Sequence, residues 1–477
     1  MINDDITLKQ AVSPAASTTE ASEASSPTGI GEHLRVRERV SYAIGDFGGN
    51  ILFTGVGAFI LFYLTDYAGL GAAIAGTILL LGRVFDGTMD LLIGTLIDKT
   101  STRWGKARPW VLLSTPVVVV SFILLFSIPK GLGETGTAIW AFVFYFLCLG
   151  VGFVASNLSY HSLLSLMTTS TRMRVSAEAI RTFCALASGL IVSVITIPVI
   201  TTFGNSRASW TVLYTVYGLV AALTFLMVFF GTKERTAPKK PENPIRLRAA
   251  LPTLVRNRYF WIIFVLYILT YGQSALGAVG IYVAKDLLGN PSAFSVLTLT
   301  GVVPILVAMW FIPRLIARYG KRWPIIIGLC FSILGGLFLL IDPHSIMILL
   351  IGNIIRGLGL VPITISLWAS VADTVDYGEW KSGMRLDGMT FAAATAGQNV
   401  GAGFGAAAIG WILAAGHYQS ATTHTQPVSA LNAEIFIMVW LPIFATLGTI
   451  VAMYFMDLDS KLPTIHADLA RRKQLAS

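Results

Sequence analysis

The sequence predicts an all-α membrane protein with twelve transmembrane helices arranged in two six-helix bundles. Three observations lead to this fold class: the composition, the number of long apolar segments, and the position of basic residues between them. Of the 477 residues, 55% are hydrophobic and only 12% are charged, and the mean hydropathy is +0.71. Soluble domains average about 25% charged residues. The composition therefore excludes a soluble enzyme, a nucleic-acid-binding protein and a disordered scaffold.

The apolar segments define the helices. A helix needs about 20 mainly apolar residues to cross the hydrocarbon core of a bilayer. Twelve segments meet this requirement: 42–65, 72–97, 110–129, 137–166, 177–203, 209–231, 259–284, 292–313, 323–341, 345–372, 387–415 and 433–456.

Basic residues predict the orientation of these helices. The net charge is +9, and Lys and Arg concentrate in the loops after helices two, four, six and eight, whereas the alternate loops contain few. Basic loops remain on the cytoplasmic side. We therefore expect a multi-pass protein of a bacterial inner (plasma) membrane, with both termini in the cytoplasm, the lipid bilayer as its surroundings and no nucleic-acid partner. Residues 1–32 lack the apolar core of a signal peptide, so the first helix should direct insertion.

The chain is expected to divide into five parts. These are a disordered cytoplasmic tail (1–34), a first bundle (35–231), a basic cytoplasmic linker (232–258), a second bundle (259–457) and a cytoplasmic C-terminal tail (458–477).

The division into two bundles is supported by an internal repeat. Segments 98–110 and 313–324 both contain Arg, an aromatic residue, Gly and Lys, followed by a Trp/Pro pair. Each lies between the second and third helix of its half. Unless the two basic loops are alike by chance, this pattern indicates a transporter with its site near the bilayer midplane between the halves.

Charged residues within helix two are the strongest functional signal. A charged residue at the centre of a transmembrane helix costs on the order of 2.5–3.5 kcal/mol on insertion scales and is functional by default. Arg83, Asp86 and Asp90 share one helical face because of their i, i+3 and i+7 spacing. Arg83 can neutralise one carboxylate, which leaves one negative charge for a monovalent cation or a proton. The alternative is a structural Arg–Asp pair.

Polar and aromatic residues on other helices are candidates for substrate binding. Amides, carboxylates and Arg bind sugar hydroxyls, and aromatic rings pack on C–H patches. The candidates are Asn50, Asn157, His161, Arg181, Trp368, Thr395, Gln398 and Asn399. Asn50 is expected to face Asp46 one turn before it. His161 could instead be a structural histidine, Arg181 a topology charge and Trp368 a packing residue.

Charged residues in the basic loops are candidates for gating. The segment 373–387 contains both signs of charge and is predicted to be a loop that latches the cytoplasmic mouth, the alternative being a solvated loop. The gating candidates are Arg103, Lys106, Arg108, Asp373, Asp376, Glu379, Lys381 and Arg385.

Several classes of chemistry are not indicated. The sequence contains no phosphate-binding glycine loop and no arrangement typical of a nucleophilic enzyme. Cys148, Cys184 and Cys330 lie in apolar segments at no metal-ligand spacing, so we expect packing roles, no disulfide and no metal. The protein is therefore not expected to be an enzyme or to need a cofactor, and transport would depend on an ion gradient.

Five motifs, in order along residues 35–460, resemble those of the glycoside–pentoside–hexuronide:cation symporters of the major facilitator superfamily. They are Tyr42-Ala-Ile-Gly-Asp46, Tyr63-Leu-Thr-Asp66, the Arg83–Asp90 segment, Arg103-Trp-Gly-Lys-Ala-Arg-Pro109 and Asp373-Thr-Val-Asp-Tyr-Gly-Glu-Trp-Lys381. The resemblance implies two bundles with alternating access and uptake of a glycoside with H⁺, Na⁺ or Li⁺.

The resemblance also implies roles for individual residues. Asp86 and Asp90 match the cation-site aspartates of the family, and Arg181 and Thr395 match residues of its sugar site. Departures from the better-known members follow: Asn50 and Asn157 replace sugar-binding aspartates, His161 replaces a tryptophan, Asn399 replaces a lysine, and Met89 and Val154 replace oxygen-bearing residues of the cation site.

These departures favour particular alternatives. Sodium prefers several hard oxygen ligands, so the loss of two favours H⁺ over Na⁺. The amides and Trp368 are more similar to the glucuronide and pentoside branch, in which Arg181 would bind a uronide. A functional monomer that imports a small glycoside together with a monovalent cation is therefore expected. A carrier of lipid-like amphipathic molecules, a non-transporting membrane sensor and an intramembrane enzyme are the other possibilities.

Overall fold

The structure is a computed structural model that describes residues 34–168, 170–235, 252, 254–419 and 426–476. The predicted disordered tail, apart from residue 34, lies outside these residues, as does most of the linker between the predicted bundles.

Twelve long helices of the described ranges, here α1 to α12, correspond one to one with the predicted segments. Their bounds are Val36–Tyr67, Ala72–Lys99, Arg108–Leu125, Gly133–Met167, Thr171–Thr202, Arg207–Gly231, Arg258–Leu287, Ala293–Ala308 continued by Ile312–Tyr319, Arg322–Phe338, Ile346–Ser382, Asp387–Ala415 and Val428–Ser460. Among the described residues, nine of these helices are long and apolar enough to cross a membrane, and α8 makes ten if its two parts form one span. The other two are α9, which has 17 residues, and α11, which is rich in Gly and Ala.

Two helices differ in shape from the prediction. The two parts of α8 meet at an angle of 52°. The break lies at residues 309–311, where the helix loses a backbone hydrogen bond because Pro313 has no N–H to donate to the Met309 carbonyl. Helix α10 continues to Ser382 instead of ending near residue 372. The predicted loop 373–387 is therefore wrong: its first ten residues are helical, and the helix ends at Gly383, whose φ of +73° suits glycine.

A thirteenth helix, α13 (Leu462–Ala476), occupies most of the predicted C-terminal tail. Ile465 is buried, and the Trp380 indole donates a hydrogen bond of 3.0 Å to Asp468. The helix therefore packs on the end of α10. Of the three cysteines, which are all free, Cys330 is exposed on α9 and does not have the predicted packing role.

The sequence repeat has a structural counterpart. The Glu234 carboxylate, just after α6, accepts hydrogen bonds of 2.8–2.9 Å from the backbone N–H groups of residues 106–108. In the second half, Asp459 at the end of α12 accepts bonds of 2.7 and 3.0 Å from the N–H groups of Lys321 and Arg322. In each half an acidic residue near the end of the sixth helix thus fixes the loop before the third helix, since helix N-termini attract anions.

The halves meet at one face of the membrane. We call the face that carries the loops after α2, α4, α6 and α8 the basic face, and the other the opposite face. Within the described ranges, hydrogen bonds and ion pairs between residues 34–235 and 254–476 occur toward the opposite face: Thr65–Tyr282, Asp66–Lys285, Asp66–Tyr418, Thr77–Trp411 and Val194–Ser295. The structure is therefore closed at the opposite face.

Glycines allow this close approach. A Cβ on Gly76 of α2 would lie 2.9 Å from the Ala407 carbonyl oxygen of α11, and a Cβ on Gly403 would lie 2.9 Å from Cβ of Arg83. Such distances leave no room for a side chain, so small residues let the two backbones touch.

Candidate functional site

The charged cluster of α2 forms as the helical spacing predicts. The Arg83 guanidinium lies 3.4 Å from Asp86 Oδ2 and 5.2 Å from the centre of the Phe53 ring. Asp86 is 4% exposed, and its second oxygen has no hydrogen-bond partner among the described residues. Arg83 therefore satisfies only part of one carboxylate.

Asp90, one turn further along α2, is half-buried. The charged group that acts on it is the Asp86 carboxylate, and no Lys or Arg in the described part of the chain pairs with it. The cluster thus holds two carboxylates and one guanidinium, a formal charge of −1. Such a group can bind one monovalent cation or one proton.

The surroundings of the cluster are mostly apolar. Met89 and Val154 belong to a small hydrophobic cluster between α2 and α4 that also contains Ile93 and Ile97. A π-helical turn in α4, Phe146–Phe153, lies alongside α2, and π-helical turns often occur at functional sites. No group of three or more His, Cys, Asp or Glu side chains that could hold a metal ion exists in the described ranges.

Arg181 is the centre of a second charged group. It lies 2.7 Å from Asp46 and 2.5 Å from Glu178, and the Tyr42 hydroxyl donates a bond of 3.4 Å to Glu178. Arg181 thereby joins α5 to α1 by an ion pair. The formal charge of this group is also −1.

Asn50 does not make the predicted contact with the Asp46 side chain. Its amide donates a bond of 3.0 Å to the backbone carbonyl of Asp46, while the Asp46 carboxylate turns to Arg181. This role of Asp46 is not among the predictions from the sequence, although its place in the first predicted transmembrane helix marks it as a charge that needs a partner.

Helix α4 carries the next two candidates. Asn157 is half-buried, and His161 is exposed, with its ring 5.5 Å from that of Tyr160 in an edge-to-face arrangement. Tyr160 in turn stacks on Tyr42, with ring centres 4.6 Å apart.

In the second half, aromatic side chains form a wall on α7, α10 and α11. The Trp368 ring lies 5.2 Å from Tyr267 and 6.2 Å from Phe391, and Tyr267 stacks on Tyr271 at 5.7 Å. Trp368 is 42% exposed, so a large part of its side chain is accessible. The Tyr267 hydroxyl is buried and has no hydrogen-bond partner among the described residues.

The polar residues of α11 point in two directions. Gly401, three residues after Gln398, packs on α7, whereas Gly403, four residues after Asn399, faces Arg83 of α2. Gln398 and Asn399 therefore lie on different sides of α11, with Asn399 on the side of the charged cluster. Both are half-buried. The Thr395 hydroxyl donates to the Phe391 carbonyl of its own helix at 3.1 Å.

The gating candidates at the basic face are paired within their own halves. In the first half, Lys106 binds Asp98 at 2.7 Å and Arg108 donates to the Phe229 carbonyl; Arg103 lies over the Trp104 ring.

In the second half, Arg385 lies within 3.0 Å of Asp376, Glu379 and Asp387. Asp373 pairs with Lys321, and the Lys381 ammonium lies 5.8 Å from the centre of the Tyr377 ring. Among the described residues, no hydrogen bond or ion pair connects the gating candidates of the first half with those of the second half.

A family model described as "MFS/sugar transport protein" matches residues 41–460. The chain belongs to this family. It is a family of membrane transporters whose description names sugar transport, and several relatives are named symporters. The all-helical structure with apolar helices agrees with membership.

Two relatives illustrate the similarity. The isoprimeverose transporter of Lactiplantibacillus pentosus is 32% identical over 467 residues, which cover 95% of this chain and 96% of that protein. A glucuronide carrier protein homolog of Escherichia coli is 28% identical over 94% of this chain and 98% of that protein.

Solved structures of other transporters show the same fold. A mutant form of the nucleoside transporter NupG matches 87% of this chain and 99% of its own, with a TM-score of 0.64 and 13% identity. A bacterial homolog of the lysosomal transporter Spinster, in an inward-facing and unoccupied conformation, matches 89% and 96% with a TM-score of 0.63 and 13% identity. The chain thus has the major facilitator fold of two six-helix bundles.

Proposed function

We propose that this protein is a secondary active transporter that imports a glycoside by symport with H⁺. The observation that carries this proposal is the α2 cluster, in which Arg83 pairs with Asp86 and the neighbouring Asp90 has no basic partner among the described residues. The remaining carboxyl group is the coupling site, and membership of a sugar transport family supplies the class of substrate.

The choice of H⁺ over Na⁺ rests on the side chains beside the cluster. Sodium needs several oxygen ligands, but Met89 and Val154 present a thioether and methyl groups, and both are part of an apolar cluster. A proton needs a single carboxylate oxygen, which Asp90 supplies.

The charges around Arg181 support a neutral glycoside. A uronide carboxylate would have to compete with Asp46 and Glu178, which already bind the guanidinium. Among the two favoured classes, a pentoside therefore suits the site better than a glucuronide. The similarity to a protein named isoprimeverose transporter supports a substrate of the glycoside class.

The sugar site of the proposal lies between the halves. Asn50, Asn157, His161 and Arg181 supply hydrogen-bonding groups from the first half, and Thr395, Gln398 and Asn399 supply them from α11. The exposed part of Trp368 offers aromatic surface for the C–H side of a sugar ring.

Orientation and gating complete the proposal. The basic face is cytoplasmic, with both termini on that side of the inner membrane, and the transporter acts as a monomer. Closure at the opposite face makes the present state open to the cytoplasm. When the basic face closes, the ion pairs of Lys106, Asp373, Asp376 and Arg385 exchange partners across the halves.

The test is a pH measurement on energy-depleted cells that express the protein, in a lightly buffered medium without sodium. β-Xylosides, isoprimeverose, β-glucuronides and α-galactosides are added in turn. We expect alkalinisation of the medium with a pentoside, because protons enter with the sugar. Cells that express Asp90→Asn serve as the control and should give no pH change.

Other outcomes would change the proposal. Sugar uptake that starts only after sodium is added would replace H⁺ by Na⁺ and keep the transport function. Alkalinisation with glucuronides alone would reverse the choice of substrate. No response under either condition would indicate an amphipathic substrate or a sensor.

A further inference from the structure

The ion pairs at the opposite face form a compact group on three helices and a loop. Asp66 at the end of α1 binds Lys285 of α7 and accepts hydrogen bonds of 3.0 and 3.1 Å from the Tyr418 hydroxyl, just after α11. Lys285 also lies 3.6 Å from Asp286. We call this group, together with Glu434 of α12, the opposite-face latch.

The latch contains two carboxyl groups, Asp286 and Glu434, with no hydrogen-bond donor between them among the described residues. The π-helical turn that carries Asp286 packs against the start of α12, which carries Glu434, so the two carboxyl groups are close enough to interact. Glu434 is fully buried, and both of its oxygens, together with Oδ2 of Asp286, have no hydrogen-bond partner among the described residues. Two ionised carboxylates cannot hydrogen-bond to each other, whereas one proton between them would join Oδ2 of Asp286 to one oxygen of Glu434.

The charges of the latch also indicate that it needs a proton. With every group ionised, the latch holds three carboxylates and one ammonium. Lys285 is shared between Asp66 and Asp286 and makes no ion pair with Glu434 within the described ranges. A buried charge needs a partner, so the latch lacks positive charge that a proton would supply.

The local backbone singles out the same residues. Asp66 and Asp286 both lie in π-helical turns, Tyr63–Tyr67 and Val283–Leu287. Three residues after each aspartate is a glycine with positive φ, Gly69 at +72° and Gly289 at +66°. The two halves therefore end their first helices in the same way and bring equivalent aspartates to one lysine.

From these observations we propose that the opposite-face latch binds a proton between Asp286 and Glu434, separate from the coupling site on α2, and that this proton stabilises the closed opposite face. This proton site is additional to the proposed transport function, and its effect is the same whichever sugar is carried.

The physical basis is a change of partner for Lys285 on opening. In the closed state Lys285 is paired with Asp66, so its charge neutralises little of the Asp286–Glu434 pair. That pair therefore needs a proton. When the first half moves away, Asp66 leaves and Lys285 can neutralise Asp286 or Glu434 instead. The closed state therefore binds the proton more tightly than the open state.

The sign of the pH effect follows. The proton stabilises the closed opposite face at low pH, and this stabilisation is lost as pH rises through the titration of the pair in the closed state. For a single proton, the ratio of open to closed molecules changes by up to about tenfold for each pH unit. The titratable groups that face the pair are Asp66, Tyr282, Lys285 and Tyr418.

The test measures opening at the opposite face in the full chain in sodium-free liposomes. Spin labels are placed at exposed positions of the two halves, Lys130→Cys and Ile341→Cys, in a variant without native cysteines. Their distance distribution is measured from pH 5 to 9. We expect the long-distance population to grow with pH in the parent. In Glu434→Gln, which remains uncharged, the short distance should persist at every pH.

The matched control is Asp342→Asn, an acid-to-amide change at an exposed residue of the same face, which should respond to pH like the parent. If Glu434→Gln does not fold, Asp286→Asn tests the other member of the pair. A parent that does not respond to pH, or a variant that responds like the parent, would refute the proposal. A shift caused by sodium at constant pH would show a metal-cation site instead of a proton site.

Discussion

Replacement of Asp90 by Asn should separate transport from coupling. The change removes one negative charge and keeps the size of the side chain. In the α2 cluster it leaves Arg83 with Asp86 alone, so no carboxyl group remains to carry the coupling proton. Sugar should still bind and exchange, because Asp90 is not one of the groups assigned to the sugar.

The size of the effect follows from the single charge of the site. One charge that crosses a membrane potential of 100 mV gains about 2.3 kcal/mol. Since each 1.4 kcal/mol corresponds to a factor of ten, the parent should accumulate its sugar about 40- to 50-fold at 100 mV. The Asn variant should only equilibrate it.

The assay uses membrane vesicles with an imposed potassium-diffusion potential and labelled sugar. Entrance counterflow, which needs no gradient, shows that the variant is folded and inserted, and Asp342→Asn is the acid-to-amide control. If Asp90→Asn accumulates sugar to the level of the parent, the cluster is a structural ion pair and the coupling site lies elsewhere.

Three further predictions concern binding, stability and conformation. Arg181→Lys keeps the charge but loses the planar guanidinium that binds two carboxylates. Because hydrogen bonds to charged groups contribute about 1.5–3 kcal/mol, the KM for uptake should rise at least about tenfold. An unchanged KM would remove this residue from the sugar site. Glu234→Gln weakens a cap on three backbone N–H groups, which should cost roughly 1–3 kcal/mol and lower the Tm of the purified protein, whereas an unaltered Tm would contradict the capping role. Gly76→Leu places a side chain where even Cβ lies 2.9 Å from the Ala407 carbonyl oxygen. The opposite face should then stay open, which is measured as faster maleimide labelling of a cysteine at that face. Labelling at the parental rate would show that the two helices can separate without opening the face.

The sequence predicted the number of helices well because membrane thickness fixes the length of an apolar segment. It failed where helices leave the membrane. Helix α10 continues through charged residues to Ser382, and α13 follows α12 outside the apolar region. Neither extension is apolar, so the hydropathy signal ends before the helix does.

The sequence located the candidate site only in part. Spacing along one helix correctly grouped Arg83 with Asp86. Contacts between distant helices were not predictable: the Asp46–Arg181 pair spans 135 residues, and the Asp66–Lys285 pair spans 219. The apolar pattern ends just before Asp66, and the π-helical turn that directs this residue toward α7 has no periodicity in the sequence.

The glycines of α11 give this helix two different neighbours. Gly397, Gly401 and Gly405 pack on α7 of the same half, whereas Gly403 and Gly410 pack on α2 of the other half. If the halves move as rigid bodies, the first contact persists through the cycle and the second is broken and remade. The distance from a probe on α11 to α7 should therefore stay constant and can serve as an internal standard. The distance from the same probe to α2 should change with the state of the transporter.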